Sequence, residues 1–502
     1  MSTGSSPGWQ QFPPGSRQFR ASSPQFRVSS PQFRASRPTI SGWPHVRQQV
    51  ASRRTSALAI GSTAMLGRIM RWRLAFLARR LPVLAIRDFR ILLIDRILAP
   101  ASVAFSMVGV SFAVLDKTHG STASLSYVLA AQIAPSLIFA LVGGVIADRI
   151  APQLVIVAGN VMMAIGEGTF GLLVLAGHPQ PWQMITLEAL TGTGMAVFYP
   201  ASSALLPRVV PGDLLQEASA VSRLAMNGAL MGGAVVAGFV VAAIGPGWAL
   251  LICGTGLLGT VPLMLSLRVS AGERTSQPGL YRELAEGWSE VRSRTWLWVI
   301  IAQFGVVLMA WYGGFSVLGP VVARAHLGGP AAWGTITGTE SMGLIAGGLV
   351  ALRFTPRRPM LFIVLTGGSI AATPLALGML WPVPLICCAA FGLGVGLEIM
   401  MVQWTVALAK NIPPDKLARV SSFDALGSVM AMPVGALLAG PIAAWAGVSA
   451  TEYGAAALIL VASALALLPR EIRTLRAEHL AGPAPGDALG GDETTLPAPA
   501  IP

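Results

Sequence analysis

Glu167, Glu340 and Glu398 each stand near the middle of an apolar run, and Asp95, Glu188 and Asp424 stand nearer the ends of such runs. A charge at mid-bilayer costs roughly 2.5 to 3.5 kcal/mol on insertion scales, so a carboxyl kept there needs an explanation. Two tasks suit it: binding and releasing a proton as access to the two faces alternates, or touching a cargo in transit. The structural alternative is a neutral acid held by hydrogen bonds. Other chemistry has no residues to carry it. Cys253, Cys387 and Cys388 lie inside apolar runs, where they act as small apolar side chains. The five histidines show no ligand spacing, and no lysine follows a glycine, so neither a metal site nor a GxxxxGK[ST] phosphate loop is expected. No HExxH, paired Asp-rich motif or nucleophile elbow is present, and no cofactor or enzymatic role is expected.

The elements that must position these acids are the runs themselves. A hydrocarbon core about 30 Å thick takes about 20 helical residues to cross, with every peptide group paired inside its own helix. Breaks in charge, Pro and Gly place twelve such spans near 91–114, 124–147, 154–177, 183–206, 218–244, 248–268, 295–318, 331–352, 360–380, 384–408, 419–444 and 449–468. With the N-terminus inside, thirteen Arg and Lys fall in inner loops and only Lys117 and Arg324 in outer ones. The excess of positive charge then puts both termini in the cytoplasm. Trp182, Trp248, Trp296, Trp298 and Trp381 fall near span ends, as interfacial anchors do, whereas Trp404 is expected deeper.

The net charge of +13 belongs almost wholly to the tail: residues 1–90 hold fifteen Arg and the single acid Asp88. This stretch repeats SRQFRAS, SPQFRVS and SPQFRAS, cannot bury a core, and is expected to be disordered over residues 1–65. It lacks a signal-peptide pattern; loose attraction to anionic lipid suits it, and no nucleic-acid partner is expected. Met65 and Met70 are alternative starts, since a basic amphipathic segment follows them into the first span. The C-terminal stretch 471–502, rich in Pro and Gly, is expected to be unstructured.

An internal duplication organises the spans. At a constant offset of 202 residues, PGDLLQEASAVSRL from Pro211 pairs with PPDKLARVSSFDAL from Pro413, and Asp213, Gly233, Gly238 and Gly245 pair with Asp415, Gly435, Gly440 and Gly447. Each copy precedes the fifth span of its half. The unit is therefore six helices, repeated in parallel orientation: 87–269 and 295–470, flanked by tails 1–86 and 471–502. The joining segment 270–294 carries Leu284, Trp288 and Val291 at amphipathic spacing, which predicts a surface helix over 281–293. Glycines 233, 238, 435 and 440 allow helices to approach closely in lipid, either as sliding surfaces or as static packing.

The stretches RDFRILLIDRILAPASVAFSMVGVSFAVLDKTHGS, LVGGVIADRIAPQ, FYPASSALLPRVVPGDLLQEASAV, ELAEGWSEVRSRTWLW and PPDKLARVSSFDALGSVMAMPVGALLAG resemble the major facilitator superfamily, in the branch of the enterobactin exporter and macrolide efflux proteins. The resemblance covers residues 87–468. It implies an all-α membrane fold of 12 transmembrane helices in two six-helix bundles related by a pseudo-two-fold axis. It also implies a gate motif, matched by Gly144, Asp148 and Arg149, whose Asp meets the start of helix eleven near Arg419, Ser421 and Ser422. Ala151, Pro152 and Gln153 depart from that motif, so its distal basic arm is missing. The antiporter signature of span five is met only by Gly233, Ala234 and Gly238, without its proline.

In that fold, helices one, four, seven and ten line the central cavity. By that likeness, Asp95 on helix one and Glu398 on helix ten are the first candidates for proton or substrate contact, followed by Glu340 on helix eight and Glu167 on outer helix three. Asp95 also reads as an end charge linked to Arg96, and Asp424 as a helix-start charge. The expectation is a monomeric, multi-pass protein of a bacterial inner membrane. It exports a small amphipathic molecule (drug, secondary metabolite or siderophore) in exchange for protons by alternating access. A nutrient importer of the same fold is the alternative; a polytopic enzyme and a lipid-handling protein come behind it. The excess of Arg over Lys, with abundant Ala, Gly and Pro, points to a high-GC bacterial source.

Overall fold

Proline opens many of the helices, and the reason is local: its fixed φ suits a first turn, where its missing N–H is not needed. A computed structural model describes residues 81–147, 151–177, 179–267, 288–354 and 356–474. Among them the chain is helical, with no strand. Helices α1 (Arg87–Lys117), α2 (Thr122–Ala147), α3 (Pro152–Ala176), α4 (Pro181–Val209), α5 (Leu215–Ile244) and α6 (Pro246–Leu265) come first. There follow α7 (Thr295–Leu327), α8 (Pro330–Ala351), α9 (Pro359–Gly378), α10 (Val383–Asn411), α11 in two segments (Pro414–Val429 and Met432–Ala446), α12 (Val448–Ala466) and the short α13 (Arg470–Thr474). By length and composition, α1, α3, α5, α6, α7, α9, α10 and α12 can cross a membrane.

Three departures from regular helix have chemical causes. α9 breaks at Ile370–Ala371 and α11 at Met430–Ala431. Pro374 and Pro433 lack the N–H that would reach back four residues to Ile370 and Val429, and their rings crowd those carbonyls. α7 does not end near residue 318 as its pattern predicts. It runs on to Leu327 through π-helical turns at Tyr312–Leu318 and Ala323–Leu327, on either side of the short α-helical stretch Gly319–Val322 that holds Pro320. A wider turn accommodates a residue that an α-turn cannot. Gly245 and Gly447, the paired glycines of the repeat, both turn the chain with φ near +90° (94° and 91°), a conformation open to glycine at little cost.

Helix pairings recur six elements apart. α1 packs on α5 and α6, α2 on α4, and α3 on α4 and α6; likewise α7 packs on α11 and α12, α8 on α10, and α9 on α10 and α12. The two cross-pairings match in the same way, α5 with α8 and α11 with α2. The repeat glycines sit at equivalent contacts. A Cβ on Gly233 would stand 2.9 Å from the Ala101 carbonyl oxygen of α1, and one on Gly435 would run into the Met309 carbonyl of α7. A Cβ on Gly238 would stand 2.7 Å from the Pro330 carbonyl oxygen of α8, and one on Gly440 would strike the Thr122 carbonyl and Ser126 hydroxyl of α2. Hydrogen bonds reinforce the last seam: the Gly440 N–H donates to Ser126 Oγ (2.6 Å), and the Thr122 hydroxyl donates to the Gly440 carbonyl (3.0 Å).

Trp182, Trp248, Trp298 and Trp381 keep exposed rings at helix ends. Trp296 corrects the expectation: it is buried edge-on against Trp404, with centroids 5.9 Å apart, because α7 begins inside the bundle there. The predicted surface helix is described only from Trp288, where 288–292 are helical and Trp288 lies 6.1 Å from the Phe423 ring; 281–287 lie outside the described residues, as do the two tails beyond 81 and 474.

Gly440→Val should separate α2 from α11 and lower the thermal unfolding midpoint in detergent, an overpacking cost of about 1–3 kcal/mol. Gly228→Ala, at a glycine with open space around it, is the control and should hold or raise the midpoint. Equal midpoints for the two variants would contradict this account of the seam.

Candidate transport pathway

Asp95 lies two turns into α1, and Arg96 follows it. Both line a cavity of about 250 Å³ bounded by α1, α3, α4 and α5. Apart from Ser202 and Ser203 the wall is otherwise soft and mostly apolar, with Met163, Met195, Phe198, Tyr199, Met226 and Leu230. Methionine and aromatic side chains adapt to irregular apolar shapes and tolerate different occupants. Arg96 Nη2 donates to the Ser202 carbonyl (2.7 Å), which turns the guanidinium toward α4. Neither Asp95 oxygen has a hydrogen-bond partner among the described residues. An unsatisfied buried carboxyl beside an apolar cavity is a ready contact for a cation or a hydrogen-bond donor on an occupant.

Glu398 meets an ionic partner. Arg223 of α5 reaches across to it, with Nη1 3.0 Å from Oε1; the arginine side chain is 66% exposed and the glutamate 15%. This pair joins two elements that belong to different copies of the repeat. A second such pair, Arg324 with Asp116 at 3.1 Å, joins the end of α7 to the end of α1. Glu340 is half-buried on α8, where its backbone carbonyl lies against Gly394 of α10, four residues before Glu398. Asp424 accepts hydrogen bonds from the Trp404 indole (2.7 Å) and the Ser428 hydroxyl (3.4 Å), a local arrangement within α10 and α11.

Glu167 is fully buried on α3 and is not among the residues lining the Asp95 cavity, and its Oε1 accepts from the Ser106 hydroxyl of α1 at 2.5 Å. Glu188 is also fully buried, and its Oε2 accepts from the Gln132 amide of α2 at 2.7 Å. Span reading put Glu188 near a helix end. It lies inside the bundle because α4 begins at Pro181 and packs on α2 and α3 from its second turn. Sequence reasoning passed over Glu452, buried on α12 with neither oxygen partnered among the described residues. The signal was present, since Glu452 is the one acid in an otherwise uncharged helix. Of the gate motif, Gly144 lies in α2, while Asp148 and Arg149 lie outside the described residues.

At the start of α11 a small charged cluster is visible. Glu290 accepts from Lys416 Nζ (2.9 Å) and from Arg294 Nη2 (2.7 Å), and Arg294 also donates to the Asn411 carbonyl. The Lys416 hydrogen bond, followed by that from Arg294, holds the Glu290 carboxyl below its ordinary range.

The family model described as Major Facilitator Superfamily matches residues 97–354. The chain belongs to the major facilitator superfamily. Macrolide efflux protein A of Streptococcus pyogenes is 24% identical over 392 residues, covering 74% of this chain and 93% of the relative. Macrolide efflux protein A of Enterococcus faecalis is 23% identical over 321 residues, covering 60% and 95%. The crystal structure of the nucleoside transporter NupG aligns with a TM-score of 0.63 at 11% identity, covering 76% of this chain and 99% of that one, a likeness of fold. As a member of this superfamily the chain is a multi-pass membrane transporter and not an enzyme.

Because the folded state holds the Glu290 carboxyl low, its contribution to docking 288–294 on α11 is complete above the ordinary glutamate range near 4.5 and is lost as pH falls through the lower folded value. Hydrogen exchange of the 288–292 amides, corrected for intrinsic rates, should therefore accelerate only at acid pH. Lys416→Met should show faster exchange already at neutral pH; slow exchange in that variant would dismiss the clamp.

Proposed function

We propose that this transporter exports a small amphipathic molecule in exchange for protons, by rocking two six-helix halves, 87–269 and 295–470, about a central cavity. The observation that carries the reading is the methionine-lined cavity beside Asp95, whose carboxyl is buried without a partner among the described residues. Such a site suits a largely apolar molecule with a polar or cationic group better than a sugar or a phosphate. The relatives named for macrolide efflux support export, and they make a macrolide the first cargo to try.

In this reading the 12 helices span a bacterial inner membrane with both termini in the cytoplasm, as the distribution of Arg and Lys favours. The seams held by Gly238 and Gly440 then lie in the outer half, where the halves close on each other. The Asp95 cavity and the exposed Arg223 lie toward the cytoplasm, where cargo enters. Asp95 contacts cargo from α1; Glu398 and Glu340, on α10 and α8, line the path across from it. The Arg223–Glu398 and Arg324–Asp116 pairs are contacts that the rocking motion makes and breaks. A pair exposed on both sides, as Arg324–Asp116 is, contributes about 0–1 kcal/mol, small enough to be exchanged in each cycle. Asp148, with Gly144 and Arg149, latches the cytoplasmic side through the start of α11. The protein works as a monomer, and the segment 270–294 links the halves.

The reading is tested with everted and right-side-out vesicles carrying the full chain, using erythromycin as the macrolide and an imposed proton gradient. Energy-dependent accumulation should occur in everted vesicles, and Asp95→Asn should reduce it about tenfold or more, the scale of one lost charged contact. Accumulation in right-side-out vesicles instead would establish an importer.

A further inference from the structure

Two buried acids, Glu167 and Glu188, are brought together by a close helix contact. α3 and α4 meet at Gly166, where an added Cβ would stand 2.9 Å from the Leu187 carbonyl oxygen and 3.3 Å from the Thr191 amide nitrogen. Those positions are one residue from Glu167 and flank Glu188. Each acid has one oxygen satisfied, by Ser106 or by Gln132, and one oxygen without a partner among the described residues. The hydroxyl of Thr191, almost wholly buried and one turn beyond Glu188 on the same face, is likewise unpartnered among them. From the packed elements the pair is faced by Ser106 of α1, Gln132 of α2, Cys253 of α6 and Tyr312 of α7. None of these is a cation. Two carboxylates buried near each other, with no positive charge among the described residues that face them, repel each other, and a single shared proton removes the conflict.

Tyr312 gives the pair a relation to transport. It packs against the buried cluster that includes Leu129 of α2 and Met184 of α4, yet it belongs to α7, in the second copy of the repeat. It also begins the π-helical stretch that Gly313 and Gly314 continue. Glu398 already has Arg223 as its ionic partner, whereas the Glu167–Glu188 pair has no cation among the described residues around it, and Tyr312 beside it belongs to the opposite half.

We propose that Glu167 and Glu188 together carry the coupling proton: they hold it while α7 covers them, and they pass it to or take it from water when α7 withdraws Tyr312. The step transfers one proton between a carboxyl and water, with no other bond made or broken. It rests on the proton-coupled transport proposed above.

The test uses the full chain reconstituted in proteoliposomes, with erythromycin as cargo and an internal pH dye. Wild type should show erythromycin-driven proton movement. Glu167→Gln and Glu188→Gln should each lose it by about tenfold or more while erythromycin counterflow, which needs no net proton, persists. Infrared difference spectra of the purified proteins should show a protonated-carboxyl band in wild type that either substitution removes. Ser106→Ala keeps both acids and removes only one donor, so it guards against variants that fail to fold; it should displace the pH midpoint of coupling. Proton movement and the infrared band unchanged in both Gln variants, or an unmoved midpoint in Ser106→Ala, would overturn the pair while leaving proton-coupled export standing. No cargo-driven proton movement in wild type would overturn the coupling itself and the pair with it.

Discussion

Lipid offers helices no hydrophobic reason to pack on one another, so this bundle depends on how closely backbones approach where side chains are absent. Gly238 against Pro330 and Gly334, Gly440 against Thr122 and Ser126, and Gly166 against Leu187 and Thr191 are contacts at which a single methyl group would meet main chain or a hydroxyl. The first two join the copies of the repeat, and the third brings two acids together. Packing of this kind is dense but carries no rotamer-locked side chains across the seam. It therefore suits surfaces that must separate and close again.

Charge is distributed against that frame in three ways. Glu398 and Glu290 have cations. Glu167, Glu188 and Asp424 have neutral hydrogen-bond donors. Asp95 and Glu452 have no partner among the described residues. A buried polar group without a partner is unfavourable by several kcal/mol in an apolar medium, and such groups persist where an occupant or a proton completes them. Asp95 borders a cavity large enough to hold part of a cargo. Glu452 stands close behind Gly314, beside the π-helical turns of α7. α7 thus collects the irregular backbone, Tyr312 and the ion pair Arg324–Asp116 in one element.

The helical character and most helix limits were legible because lipid imposes them locally: run length, flanking charge and proline position are properties of neighbouring residues, whereas the superfamily was legible only through the resemblance of particular stretches. The offset of 202 residues also showed which glycines correspond, and their contacts prove equivalent around both α5 and α11. The course of α7 was not legible, since its π-helical turns carry it past Pro320 by a change of hydrogen-bond register that no residue pattern marks. Trp296 was misplaced for a related reason: a tryptophan at a helix start faces lipid or protein according to what lies beside it, and here that is Trp404.

For the pathway, the acids themselves were readable as exceptions within apolar runs, but their partners were not. Nothing in the sequence near Glu398 announces Arg223, which lies 175 residues away, and nothing near Glu167 announces Ser106, 61 residues away. By itself the sequence determined a membrane-embedded, duplicated helical chain with a few acids inside it, because solvent preference and periodicity act residue by residue. Only the tertiary structure decided which acid meets a cation, which meets a neutral donor and which borders a cavity, because those outcomes depend on the rotation of each helix about its axis and on the glycines that set how near its neighbour lies.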